Sequence, residues 1–97
     1  MPFSSSTGYS FTENGILAYA PRRSGVYGIY KNGQWIYIGE SQDIEGRLFE
    51  HLRAQSDQSA CILGHSPTHF VCETCDAMTR VVREQALIRE FSPICNR

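Results

Sequence analysis

The chain holds 97 residues, 41% of them hydrophobic and 20% charged, with a formal net charge of −1 at pH 7. That length supports one domain around one modest core, and the composition excludes a disordered or collagenous chain. No stretch reaches the roughly 20 apolar residues of a membrane span, and no global excess of basic residues marks a nucleic-acid binder, so any phosphate contacts must come from a local patch.

Residues 1–10 are serine-rich and read as a flexible N-terminus ahead of a single domain over 11–97. They lack a basic stretch followed by an apolar run, so no secretory signal is read there; the expected location is cytoplasmic, with no membrane partner. Thr12 is placed to cap a short helix over 12–19, with Pro21 beyond its end. Residues 25–30 (GVYGIY) alternate, and residues 35–39 (WIYIG) are rich in β-branched and aromatic types. With Asn32-Gly33 between them, they predict a β-hairpin. Ile44, Leu48 and Leu52 then recur every four residues, which predicts a helix capped by Ser41 or Asp43 and running to about Ala54. Residues 55–67 read as a polar loop with room for one helical turn. Residues 69–74 (HFVCET) read as a third strand. Asp76 caps a second long helix, whose apolar positions are Met78, Val81, Val82, Leu87, Ile88 and Phe91, and Pro93 stops it. The expected fold is therefore α/β (α+β): a small three-stranded antiparallel sheet flanked by helices.

Three groups of residues carry possible chemistry. Glu84 has Val81 three positions before it and Leu87 and Ile88 three and four after, which puts its carboxylate on or beside the core face. A charge there is costly unless it is ion-paired, with Arg80 or Arg83 as local candidates, or coordinates a cation. Arg47 and His51 are four apart on one face of the first long helix. The arginine offers a planar fork for phosphate oxygens and the histidine a group that exchanges protons near neutral pH. Their bland alternative is a solvated face with Asp43 and Glu50. Tyr27 and Tyr37 occupy equivalent places in two glycine-flanked triplets, Gly25-Val26-Tyr27 and Tyr37-Ile38-Gly39, nine residues apart. Taken singly, strand tyrosines are packing residues with a wet hydroxyl.

Taken in order, these positions resemble the GIY-YIG nuclease family. Its two triplets fall on Gly25-Val26-Tyr27 and Tyr37-Ile38-Gly39, its helical arginine on Arg47, a following His or Tyr on His51, its metal-binding glutamate on Glu84, and a terminal Pro-x-x-Asn pattern on Pro93 and Asn96. Gly28-Ile29-Tyr30 spells the first triplet literally, but leaves only six residues before the second, short for the family. The resemblance implies a metal-dependent endonuclease acting on DNA. Glu84 would hold one Mg²⁺ or Mn²⁺ ion, Arg47 would neutralise the phosphate and Tyr27 would be the general base. Tyr37 and His51 would help position water and phosphate, with Gly39, Glu40 and Asn96 beside the substrate. Some members carry Lys directly after the second triplet where this chain has Glu40. Activation of Tyr27 then falls to the metal, Arg47 or Lys31, or Glu40 itself accepts the proton or binds a second ion. The alternative is a catalytically inactive nucleic-acid-binding module of the same fold, favoured by the net negative charge.

Six arginines from residue 47 onward, Arg47, Arg53, Arg80, Arg83, Arg89 and Arg97, are available to gather into one basic face. In the expected reducing setting, Cys61, Cys72, Cys75 and Cys95 read as free thiols or metal ligands rather than disulfides. Cys72-x-x-Cys75 has zinc-ligand spacing that Cys61, Cys95, His65 or His69 can complete, against the commoner reading of buried thiols. A zinc-stabilised interaction domain is thus a third reading. No Walker-type phosphate loop is present.

Overall fold

The structure, a computed structural model, describes residue 3 and residues 7–96. Its elements run β1 (Tyr9–Ser10), α1 (Glu13–Tyr19), β2 (Gly25–Lys31), β3 (Gln34–Ser41), α2 (Ile44–Leu52), α3 (Ser59–Gly64), β4 (His69–Thr74), α4 (Ala77–Phe91) and a closing 3-10 turn, Ile94–Asn96. The four strands form one antiparallel sheet in the order β1-β4-β2-β3. No helix among the described residues is long and apolar enough to cross a membrane.

Local chemistry sets most of the boundaries. The β2–β3 hairpin turns on Asn32-Gly33, with Gly33 at φ 69°, where a side chain is strained. The Thr12 hydroxyl, the Asp43 carboxylate and the Asp76 carboxylate each accept a backbone N–H in the first turn of α1, α2 and α4, at 3.0, 3.2 and 2.7 Å. Ser92, at φ 46°, closes α4 in the left-handed conformation directly before Pro93.

The sheet buries both faces. On one side Tyr27, Ile29 and Phe70 pack with Phe11, Ile16, Ile44, Leu48 and Ile62 from the α1, α2 and α3 layer. On the other, Val26, Ile38 and Val71 pack against Leu87 of α4 and Phe3.

Three expectations change. The sheet has four strands, not three: Tyr9 and Ser10 pair with Phe70 and His69, and Phe3 is only 8% exposed. These parts of the segment read as flexible are held by long-range contacts that serine content does not reveal. Residues 1, 2 and 4–6 lie outside the described residues. The loop over 55–67, read with room for one helical turn, holds the longer α3, of six residues. The apolar positions of α4 do not all face the core, since Met78, Val81 and Val82 are 87%, 50% and 70% exposed. At about 100° per residue, Met78 and Val82 lie opposite the stripe of Leu87, Ile88 and Phe91 that packs on the sheet. That stripe also includes Arg80 and Glu84.

Candidate active site

Tyr27 is the centre of the site. Strand register sets it opposite Gly39 on β3 and Cys72 on β4, and it is 1% exposed. The absent side chain at Gly39 makes its place: a Cβ there would collide with the Tyr27 hydroxyl and ring and press on Tyr37. Tyr27, Tyr37 and His51 form a triangle of rings, with centroids 6.2 Å apart for the tyrosines, 5.6 Å for Tyr27–His51 and 5.3 Å for the edge-on Tyr37–His51 pair. Tyr30 turns elsewhere and packs on Trp35 and His69, so the valine-containing triplet is the one that faces the site.

A chain of hydrogen bonds runs from the Tyr27 phenol through His51 to the segment after α2. Its oxygen is 2.7 Å from His51 Nε2, His51 Nδ1 is 2.6 Å from Ser56 Oγ, and Ser56 Oγ is 2.8 Å from Ser59 Oγ. The far end fixes the direction. The Ser59 hydroxyl donates to the Glu50 carbonyl at 3.3 Å, so its oxygen accepts from Ser56, from both the backbone N–H and the hydroxyl. Ser56 Oγ must then accept from His51 Nδ1–H, which leaves Nε2 as a lone pair receiving the Tyr27 hydroxyl. Burial first, and then the Arg47 charge, lower the imidazole pKa to about 4, so it is neutral at pH 7. Burial and the neighbouring Tyr37 raise the Tyr27 phenol well above its ordinary value, with Arg47 pulling the other way. In the resting protein the proton therefore sits on Tyr27 and the empty acceptor on His51.

Arg47, one turn before His51 on α2, donates to Glu50 Oε1 at 2.6 Å and to Gln58 Oε1 at 3.0 Å. Its side chain is 32% exposed, so the fork is braced while solvent still reaches it.

Glu84 enters from α4, beside the edge strand β3. Arg80 binds Glu40 Oε1 at 2.6 Å and Ser24 Oγ at 2.9 Å, while Arg83 makes two bonds to the Glu73 carboxylate at 2.8 and 3.1 Å. Both local arginines are thus taken, and among the described residues Glu84 has no ion-pair partner. Burial, followed by the Glu40 charge, raises its carboxyl pKa, while hydrogen bonds from Gln85 and the Glu40 backbone oppose the rise. Its charge in turn raises both phenols. The half-buried carboxylate therefore belongs to the same electrostatic field as Tyr27 and Tyr37, in a place short of positive charge.

The remaining expected positions are held internally. Glu40 is committed to Arg80. The Asn96 amide accepts from Ile38 N and donates to Ile38 O, both at 2.8 Å, and so fastens the 3-10 turn to the open edge of β3. Lys31 sits at the hairpin end of β2. The arginines do not collect into a basic face: Arg47, Arg53, Arg80 and Arg83 are paired with Glu50, Glu13, Glu40 and Glu73, because each has an acid within reach on a neighbouring turn or element. Arg97 lies outside the described residues. Gln58, Ser56 and Ser59 were not singled out from the sequence. The only signal was a cluster of hydrogen-bonding residues in the segment after α2, which by itself reads as a loop.

The cysteines also differ from expectation. Cys61 and Cys95 form a disulfide across 34 residues, and Cys72 and Cys75 are free. Sequence spacing does not show that these two cysteines meet; the fold brings them together from separate elements, with Cα atoms 5.9 Å apart, within the range a disulfide spans. Cys72 and Cys75 have no third ligand-bearing side chain among the described residues with which to hold a metal.

Comparison with known proteins gives the class of this fold, a nuclease-type catalytic domain. The model of the GIY-YIG catalytic domain matches residues 23–97, and the chain belongs to that family. Among curated proteins it is similar to the UvrABC system protein C of Hydrogenobaculum sp., with 37% identity over 84 residues covering 84% of this chain, and to that of Fervidobacterium nodosum, with 28% identity over 81 residues and the same coverage. It spans 15% and 14% of those proteins' lengths. Among solved structures it is similar to the GIY-YIG N-terminal endonuclease domain of UvrC from Thermotoga maritima bound to its catalytic divalent cation, magnesium. That match has a TM-score of 0.73 and 24% identity, and covers 89% of this chain and 100% of that one.

Proposed function

We propose that this chain is a metal-dependent endonuclease domain that hydrolyses phosphodiester bonds in DNA. In this reading Tyr27 is the general base, Arg47 stabilises the phosphate, and Glu84 holds one Mg²⁺ or Mn²⁺ ion. The observation that carries it is the convergence of two phenols, a braced guanidinium and a carboxylate with no ion-pair partner among the described residues. The residues fit a hard divalent cation, because a carboxylate oxygen is the donor such ions prefer and Glu84 sits where positive charge is lacking. When bound, the ion would supply charge stabilisation to the phosphoryl and leaving oxygens.

The chain's own residues supply the rest. Arg47 lies against the phosphate with the fork that Glu50 and Gln58 hold in place. Tyr27 takes a proton from the attacking water while passing its own to His51 Nε2, the empty acceptor 2.7 Å away. The incoming phosphodiester brings negative charge that raises the proton affinity of the imidazole. Tyr37, half-buried beside both, orients water or phosphate. Gly39 keeps the phenols packed. Glu40 and Asn96 shape the substrate side from behind, through Arg80 and β3.

The competing reading is a binding module without chemistry. Glu84 weighs against it, since a carboxylate set beside bound phosphate opposes binding unless it holds a cation there. A cytoplasmic DNA-repair setting, by likeness to the UvrABC relatives, is part of the proposal.

The test is cleavage of single-stranded, duplex and branched DNA with Mg²⁺ or Mn²⁺. The parent should cut and a chelator should stop it, while Glu84→Gln and Tyr27→Phe should each lose at least about 10²-fold. Equal cutting by parent and Glu84→Gln would place the metal elsewhere. Absence of cutting on every substrate would favour the binding module.

A further inference from the structure

On the far side of α3 from the relay, Cys61, Cys95 and His65 form a cluster that the hydrolytic site does not use. Their Sγ and Nδ1 atoms all lie within 4.8 Å of one another, and this is the set of His, Cys, Asp or Glu groups among the described residues with metal-ligand spacing. His65 Nδ1 stands 4.0 Å from Cys61 Sγ and 3.9 Å from Cys95 Sγ, almost equidistant from the two ends of the disulfide. The imidazole is steadied by the Cys61 carbonyl, 2.8 Å from Nδ1.

We propose that Cys61, His65 and Cys95 form a two-state site: a disulfide when oxidised, and a Cys₂His centre for one soft divalent cation, zinc above all, when reduced. Two thiolates and an imidazole are the donor set zinc prefers, with the fourth tetrahedral position left to water or an external ligand. The geometry is close to what is required. In a tetrahedral centre with ordinary Zn–S and Zn–N bonds, the sulfurs stand about 3.8 Å apart and each lies about 3.5 Å from the nitrogen. The imidazole already sits within about 0.5 Å of that separation from each sulfur, so the main movement is the parting of the two sulfurs. The cysteine Cα atoms are 5.9 Å apart.

The chemistry balances. A dithiol reductant gives two electrons and two protons to the Cys61–Cys95 bond and becomes a disulfide itself, leaving two thiols. The cation then displaces both thiol protons, and the His65 proton shifts to Nε2, so Nδ1 gives up the Cys61 carbonyl and takes the metal. In either state a cross-link joins α3, directly preceded by the Gln58 that braces Arg47, to the turn whose Asn96 fastens β3.

Cobalt is the probe, because thiolate-to-cobalt charge transfer in the near ultraviolet reports sulfur ligation and stays silent for a carboxylate-bound ion at Glu84. The full chain is reduced with a water-soluble phosphine, which takes oxygen from water to become the phosphine oxide and does not supply competing thiols. The reduced protein should then be titrated with Co²⁺, followed by displacement with Zn²⁺. The expected result is one equivalent of thiolate-bound cobalt in the reduced protein, none in the oxidised protein, and loss of the band when zinc is added. Cys72→Ser with Cys75→Ser should keep the band. His65→Ala leaves the disulfide intact, so it tests the site without risk to the oxidised fold; its reduced form should bind at least about tenfold more weakly. A reduced parent with no charge-transfer band overturns the proposal. So does undiminished binding by His65→Ala, or a band that persists in Cys61→Ser, which would move the ligands to Cys72 and Cys75.

Discussion

Replacing Tyr27 with Phe removes one oxygen from a side chain that is 1% exposed. The ring fills the same space, so no cavity opens, and the change isolates the 2.7 Å bond to His51 Nε2. His51 is fully buried, its Nδ1–H is spent on Ser56, and no other donor replaces the phenol, so a lone pair is left without a partner. Such a group costs about 1–3 kcal/mol. For a domain of 97 residues, each kcal/mol lowers the melting temperature by about 4–8 °C. Thermal and urea unfolding of parent, Tyr27→Phe, His51→Leu and the double variant complete a cycle. The double variant, with both polar groups gone, should be more stable than the sum of the singles predicts, by about 1–2 kcal/mol. Activity should fall about 10²–10⁴-fold in Tyr27→Phe, the range of general-base removal. A Tyr27→Phe variant melting with the parent, together with additive singles, would refute the buried bond and the relay built on it.

Three further outcomes follow from the same geometry. The His51 pKa is lowered to about 4 from 6.5, by burial above all. The unfolded chain therefore binds the proton more readily, and stability should be full above about pH 6.5 and fall by up to about 3 kcal/mol as pH drops toward 4. Unfolding at graded pH would check this, with His51→Leu showing a flatter profile. Gly39→Ala should displace the phenols and cost about 1–3 kcal/mol with at least about 10²-fold in cleavage; an alanine variant with parental cleavage would mean that the rings are not seated on that backbone. On α4, Leu87→Ala should cost about 2–5 kcal/mol, whereas Val82→Ala should stay within about 0.5 kcal/mol. Equal costs in chemical denaturation would mean that the helix is rotated from its described setting.

Much of the scaffold is determined locally, and therefore by sequence alone. Asn32-Gly33 needs no distant partner to make a tight turn, and Thr12, Asp43 and Asp76 cap helices with bonds that span three residues. The four-residue recurrence of Ile44 and Leu48 sets the buried face of α2 by rotation per residue alone. The order of the two triplets, Arg47 and Glu84 was enough to recognise the family.

What the sequence left open depends on distances between segments far apart in the chain. Whether Met78 and Val82 are buried depends on where α4 lands, with Leu87 packed on the sheet and Arg80 and Arg83 paired with Glu40 and Glu73. The same landing leaves Glu84 without an ion-pair partner among the described residues. Tyr9 becomes part of a strand only because β4 offers an edge. Four cysteines permit several pairings and spacing selects none; Cys61 meets Cys95 because α3 and the final turn are folded together. The His51 tautomer is read only by following hydrogen bonds out to a backbone carbonyl. Turns, caps and periodicity involve energies between near neighbours in the chain, which residue order specifies directly. Ion pairing, thiol pairing and proton position fall off steeply with separation in space, and only the closed tertiary fold sets those separations.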